Sequence, residues 1–118
     1  MYDVAKAYVL TGGERVHALH GLTLAPGHEM YPIRRGEFVM IRGPSGGGKT
    51  SMLNVLGTID TPTEGTVELF NSPVDFGAAD SELAKLRLSK IGFCFQSFNL
   101  LATMSAFENV ELPMSILG

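Results

Sequence analysis

The chain has one cysteine, Cys94, so it can form no internal disulfide. Such sparing use of cysteine suits a reducing compartment. Cys94 lies in the apolar run "IGFCFQ" and reads as a small buried hydrophobe, not a reactive thiol. Charge is sparse too. Charged residues make up 18% of the chain and the formal net charge is -3. Lys and Arg are scattered, which excludes the basic stripe of a nucleic-acid binder. No apolar run approaches membrane-spanning length. The opening "MYDVAKAYVL" lacks the basic head and long apolar stretch of a signal peptide, so the chain reads as soluble. There is no internal repeat, and no low-complexity tract beyond one glycine cluster. What remains is 118 residues, 45% of them hydrophobic, enough for one small domain with a single core.

Local patterns give an order of elements. "YDVAKAYVL" is rich in β-branched and aromatic residues and predicts a strand. "TGGE" is a turn signal. "RVHALHGLTL" alternates roughly in period two, with Val16, Ala18, Leu22 and Leu24 as candidate inward residues. Together they predict an antiparallel hairpin within residues 2–25. "APGHEMYPIRRG" carries two Pro and two Gly and reads as a loop. "EFVMIRG" is a short continuous apolar run, expected of a strand buried on both faces. "KTSMLNVLG" predicts a helix with Gly57 as its stop. "DTPTEG" reads as a turn and "TVELF" as a strand. "DSELAKLRLS" predicts a short helix with Asp80 or Ser81 as N-cap. "IGFCFQ" predicts a second buried strand. "SAFE", Ser105 to Glu108, has capping-box spacing and should open a last helix that Pro113 ends or kinks. From the second half of this order the expected fold class is α/β.

Between the first buried strand and its helix stands "GPSGGGKTS", residues 43–51. It matches the G-x-x-x-x-G-K-[ST] pattern through Gly43, Gly48, Lys49 and Thr50. Glycines let the backbone curl so that successive N–H groups point at phosphate oxygens. The following helix adds its positive N-terminal end and free N–H groups. Lys49 supplies a cation for the outer phosphates, and the Thr50 hydroxyl can ligate Mg²⁺. The alternative is a glycine-rich connector with an incidental lysine. A connector would not sit between "EFVMI" and "SMLNVL".

Several stretches together resemble one family, the ATP-binding cassette ATPases that power membrane transporters. "GPSGGGKTS" resembles its Walker A loop and "HALHGLTL" the strand before it. "LGTIDTPTEGTVEL" resembles the connection after the Walker A helix. "GFCFQSFNLL", followed by "ENVELP", resembles the segment around its Q-loop. The combination is most similar to the lipoprotein-release and macrolide-export subgroup, over nearly the whole chain. The resemblance implies a P-loop NTPase (RecA-like) core with an N-terminal antiparallel β-subdomain. Its parts would be the β-subdomain at 2–25, the Walker A strand, loop and helix at 37–57, and the Q-loop region at 91–100.

The same resemblance implies site residues. Gly43, Pro44, Ser45, Gly46, Gly47, Gly48, Lys49, Thr50 and Ser51 would hold the triphosphate of ATP. Gln96 falls at the Q-loop glutamine, similar to a residue that contacts Mg²⁺ or the attacking water. An amide offers both an acceptor for metal or water and a donor. Lys49 and Gln96 are thus the catalytic candidates, and Thr50 and Gln96 the Mg²⁺ candidates. Tyr8 precedes the hairpin turn, where the family places an aromatic that stacks on adenine, and Val16 would pack beside it. The implied partners are a transmembrane subunit or domain and a second ATP-binding subunit, with no nucleic acid. The implied location is cytoplasmic, peripheral to a membrane through that partner. His17, His20 and His28 are not spaced like metal ligands, and Met30 reads as core or loop.

Two stretches depart from the family. Around "APGHEMYPIRRGEF" the short turn before Walker A appears twice in outline, which reads as an insertion of several residues over 26–37. A surface loop tolerates this at small entropic cost. Beyond "ENVELPMSILG" the family carries its signature motif and Walker B, and no "LSGGQ"-like stretch stands in these 118 residues. The expectation is negligible ATP hydrolysis by this stretch alone, and a marginal fold with an open apolar sheet edge. Two other functions compete. An unrelated P-loop kinase would need a phosphoacceptor pocket and an Arg-rich lid, which the sequence does not show. A non-hydrolysing nucleotide-binding or interaction fragment shares the same residues and differs only in turnover.

Overall fold

The computed structural model describes residues 1–27 and 33–117, in two compact units, Met1–Gly77 and Ala78–Gly118. The first unit holds β1 (Tyr2–Val9), β2 (Arg15–Leu22), α1 (Lys49–Leu56), β3 (Glu64–Thr66), β4 (Glu68–Leu69) and β5 (Ser72–Pro73). The second holds α2 (Asp80–Lys90) and α3 (Ala106–Leu117).

β1 and β2 form the expected antiparallel hairpin, with Tyr8 opposite Val16. Its register is broken twice. Val4 pairs with Leu22, Lys6 with Leu19, and Ala7 with His17. At each break β2 carries one residue more than β1, as in a β-bulge. Each extra residue resets the alternation of β2. This corrects the inward set read from period two. Leu19 is the buried residue, Ala18, Leu22 and Leu24 are partly buried, and Val16 is exposed.

β3 runs antiparallel along the other edge of β1, giving the order β2-β1-β3. Contact there is close. A Cβ built on Gly65 would stand 2.3 Å from the Asp3 carbonyl oxygen, so β3 can approach only with glycine at that point. The expected strand "TVELF" is split. Val67 lies between β3 and β4 and is buried, and β4 turns back into β5 through Phe70 (φ 53°) and Asn71 (φ 62°). Two consecutive positive φ values match the twist of a tight hairpin.

The core of the first unit is Val4, Leu19, Val55 and Val67. It joins β1, β2, α1 and the β3–β4 connection. Met52, Leu56, Leu69 and Phe76 pack around it. α1 therefore reaches the hairpin through Val55. It closes at Gly57, whose N–H donates to the Leu53 carbonyl oxygen, but Gly57 keeps a negative φ of -79°. The left-handed residue is Thr58, at φ 56°.

Two expected strands are absent. Residues 37–43 and 91–95 form no regular strand, and Phe38 is 90% exposed. A strand buried on both faces needs neighbours to pair with. Among the described residues no strand pairs with either run. Residues 91–95 stay locally extended. Ile91 has φ -127° and ψ 126°, and Phe93 and Phe95 stack with centroids 5.4 Å apart. Cys94 between them is exposed, which corrects its reading as a buried hydrophobe.

In the second unit α2 begins at Asp80, with Ala79 as N-cap and no side-chain cap, contrary to the Asp80 or Ser81 expectation. Asp80 and Glu82 lie in the first turn and Arg87 and Lys90 in the last, so the ends match the helix dipole without a cap. The capping box of α3 forms. The Ser105 N–H and hydroxyl each donate to Glu108 Oε2 at 2.7 Å, and the Glu108 N–H donates to Ser105 Oγ at 3.3 Å. The donations from the Ser105 hydroxyl and N–H hold the Glu108 carboxyl below its ordinary range. α3 does not end at Pro113 but runs through it to Leu117. Proline removes one donor, toward the Asn109 carbonyl, and the following turn closes without it.

Candidate nucleotide-binding site

The glycine-rich loop leads straight into α1. Gly46 and Gly48 take φ of 78° and 76°, and the Gly47 N–H closes a turn onto the Pro44 carbonyl oxygen at 3.2 Å. Gly48 is the N-cap of α1 in the left-handed conformation, with no side-chain cap and no acidic residue in the first turn. The first N–H groups of a helix lack intrahelical partners, so this end is suited to an anion. Lys49 folds back over the loop. Its Nζ donates to the carbonyl oxygens of Gly43 at 2.9 Å and Pro44 at 2.6 Å. The ammonium thus sits on the loop it would share with phosphate. Pro44, Ser45 and Thr50 are exposed along it, and Ser51 is partly buried.

Tyr8 comes to this helix from β1. Its hydroxyl donates to Asp60 Oδ2 at 2.8 Å and lies 3.3 Å from Ser51 Oγ. Lys6 Nζ donates to Asp60 Oδ1 at 2.5 Å and to the Thr61 carbonyl oxygen at 2.8 Å. The same ammonium stands over the Tyr8 ring, 4.9 Å from its centroid. Asp60 Oδ1 also accepts from the Thr61 N–H at 2.8 Å. One unit therefore brings together Tyr8, Val16 and residues 43–51. Gln96 belongs to the other unit, on an exposed turn.

The sequence profile of the ABC transporter family matches residues 30–116. The chain belongs to the ABC transporter family. It is 50% identical, over all of its length, to ABC transporter H family member 2 of Dictyostelium discoideum, covering 21% of that protein. It is 46% identical over 112 residues to an uncharacterized ABC transporter ATP-binding protein of Methanocaldococcus jannaschii, covering 95% of this chain and 44% of that one. It is 46% identical over 116 residues to a macrolide export ATP-binding/permease protein of Brucella abortus, covering 98% of this chain and 17% of that one. The chain thus spans less than half the length of these curated relatives. A dimeric structure of a bacterial ABC transporter cassette superposes with a TM-score of 0.84 at 45% identity, over 98% of this chain and 46% of that one. A second structure of that cassette, in a post-hydrolysis state bound to ADP and Pi, gives a TM-score of 0.83. The fold is that of part of the α/β P-loop NTPase core of ABC ATPases.

For an ABC cassette, some residues around the site are unexpected from sequence. Asp60 reads as a turn residue, yet it joins Lys6, Tyr8 and Thr61. Its partner Lys6 is 54 residues away, so no local pattern signals the pair. Within the other unit Asn109 is likewise unexpected. Its Oδ1 accepts from the Leu101 N–H at 2.8 Å, and its Nδ2 lies within 3.2 Å of the carbonyl oxygens of Leu101, Met104 and Ser105. It ties the chain after Gln96 to the first turn of α3. His17 and His20 stack with centroids 5.6 Å apart, and among the described residues no group of His, Cys, Asp and Glu is placed to hold a metal. His28 and Met30 lie outside the described residues, as does the middle of the 26–37 insertion. At its end the Arg34 N–H donates to Glu37 Oε2 at 2.8 Å.

The Asp60 network has a pH consequence. Burial pushes the Asp60 carboxyl up, but hydrogen bonds from Lys6 and Tyr8, the Lys6 charge and the Thr61 N–H outweigh it. The net value lies below the ordinary 3.8. Ionised Asp60 therefore stabilises the fold above the unfolded value, and that contribution is lost as pH falls through the lower folded value. Through Asp60 the thermal midpoint should not vary with pH above about pH 5, where Asp60→Asn melts below wild type, and should fall below about pH 4. Circular dichroism melts of wild type and Asp60→Asn should converge in acid. Parallel pH curves for the two would contradict the assignment.

Proposed function

We propose that this chain binds ATP with Mg²⁺ on residues 43–51, as part of the ATPase subunit of a membrane transporter. The observation that carries this is the Lys49 ammonium held on the Gly43 and Pro44 carbonyls at the uncapped start of α1. Carbonyl oxygens are neutral acceptors, and a phosphate oxygen carries charge. An anionic phosphate oxygen adds ion-pair attraction that a carbonyl oxygen does not offer, so a triphosphate can draw the ammonium toward itself. The backbone N–H groups of the loop and α1 would take the remaining phosphate oxygens, and Tyr8, beside Val16, would stack on the base. The hydroxyl-rich end "KTS" suits a hard cation, which prefers oxygen ligands. Thr50 would ligate Mg²⁺, which when bound neutralises phosphate charge. Export as the direction, a transmembrane partner and a second ATP-binding subunit are supported by the relatives' descriptions, and a place on the cytoplasmic membrane face is part of the same proposal. One names a macrolide export ATP-binding/permease protein and one a dimeric cassette.

Titration calorimetry with MgATP tests the reading. Lys49→Ala should weaken binding by about tenfold or more, the worth of one hydrogen bond to a charged group. Lack of ATP binding by the wild type, or equal binding by Lys49→Ala, would overturn it.

A further inference from the structure

Tyr8 is held from two sides. Its hydroxyl is bonded to Asp60 Oδ2 and one ring face is covered by the Lys6 ammonium. Lys6 and Asp60 are in turn bonded to each other and to Thr61. The Lys6 and Asp60 side chains keep only 12% and 24% of their exposure, so the pair is partly shielded from solvent screening. We infer that Lys6 and Asp60 are positioning residues for base recognition, presenting the opposite face of Tyr8 as a preset stacking platform for a purine. This rests on the nucleotide-binding reading above.

Three observations converge on it. First, the clamp ties Tyr8 to the phosphate loop's own helix. The Tyr8 hydroxyl lies 3.3 Å from Ser51 Oγ, and the Asp60 N–H donates to the Asn54 carbonyl oxygen at 3.2 Å. Base and phosphates are covalently joined in a nucleotide, so a platform registered to the loop lets both ends seat at once. A free ring would have to be ordered on binding, which lowers affinity. Second, a cation on one face withdraws electron density from the ring. That favours stacking of an electron-rich base on the other face. Third, the polar atoms nearest the ring are already committed. Asp60 Oδ1 serves Lys6 and Thr61, and Oδ2 serves Tyr8. The platform therefore recognises a base by its face, not by its hydrogen-bonding edge.

The test separates the base from the phosphates. Affinities for MgATP and for magnesium tripolyphosphate are measured on the 118-residue chain, with Tyr8→Phe and Lys6→Met beside the wild type. Tyr8→Phe keeps the ring and removes only its tether, so it remains informative even if Lys6→Met loosens the sheet. ATP affinity should fall about three- to tenfold in both variants, the range of one exposed cation–π contact or one typical net hydrogen bond. The ratio of ATP to tripolyphosphate affinity should fall with it. An unchanged ratio in both variants, with the two ligands held or weakened together, overturns the positioning role. Equal binding of the two ligands by the wild type also overturns it, while leaving the phosphate site standing. A wild type that binds neither ligand removes the nucleotide reading and this inference together.

Discussion

Gly48→Ala should lower the stability of the Met1–Gly77 unit by about 3 kcal/mol and remove nucleotide binding. The added Cβ would stand 2.2 Å from the Ala18 carbonyl oxygen, 3.0 Å from Leu19 Cδ2 and 3.3 Å from the Ala18 carbonyl carbon. Two of those atoms are backbone of β2 and cannot rotate away. Gly48 also holds φ 76°, where an L side chain costs about 1–2 kcal/mol by itself. Ala18 is the residue skipped in the β2 register between Leu19 and His17. The bulge and the glycine are therefore parts of one fit, and relief requires the loop to withdraw from the hairpin. Withdrawal would move Lys49 and the first turn of α1 from the positions argued above for phosphate. Urea unfolding and ATP titration of the variant check both halves. A variant with wild-type stability and wild-type ATP affinity would show that the approach to Ala18 is not required.

Val55→Asp should unfold the same unit outright. Val55 is fully buried, on the face of α1 turned to Val4, Leu19 and Val67. Those four residues are the buried hydrophobic core among the described residues, so no larger apolar mass compensates for a loss there. An isolated buried carboxylate costs several kcal/mol even after the structure relaxes, and protonation only exchanges charge for an unpaired hydroxyl. Small domains hold about 5–15 kcal/mol in total, and a unit with so small a core sits toward the lower end. The circular dichroism spectrum of the variant should lose its cooperative melt. Val55→Ala, which removes only methyl groups, should keep the melt and lose about 2 kcal/mol. A cooperative melt for Val55→Asp near the wild-type midpoint would rule out this core.

How much was legible in the sequence depends on how far apart the interacting residues are. The hairpin, α1 and the α3 capping box were readable because their signals are local. Ser105 and Glu108 are three residues apart and bond each other directly. The inward set of β2 was misread because a bulge changes parity without leaving a compositional mark. The strands expected at 37–43 and 91–95 were misread for the opposite reason. Their apolar composition states what would suit a central strand, but a strand exists only when another chain segment supplies its ladder.

The sequence by itself determined the family and the glycine-rich loop for which phosphate binding is proposed. Glycine spacing, lysine and threonine in "GPSGGGKTS" specify a local backbone conformation and its chemistry within nine residues. Only the tertiary structure decided what holds that loop and what stands beside it. Gly48 is constrained by a carbonyl 30 residues earlier, and Tyr8 is anchored by an aspartate 52 residues later. Those relations arise from the packing of α1 on the bulged hairpin. Their physical basis is contact between distant segments, steric at Gly48 and electrostatic at Asp60, which a linear pattern does not record.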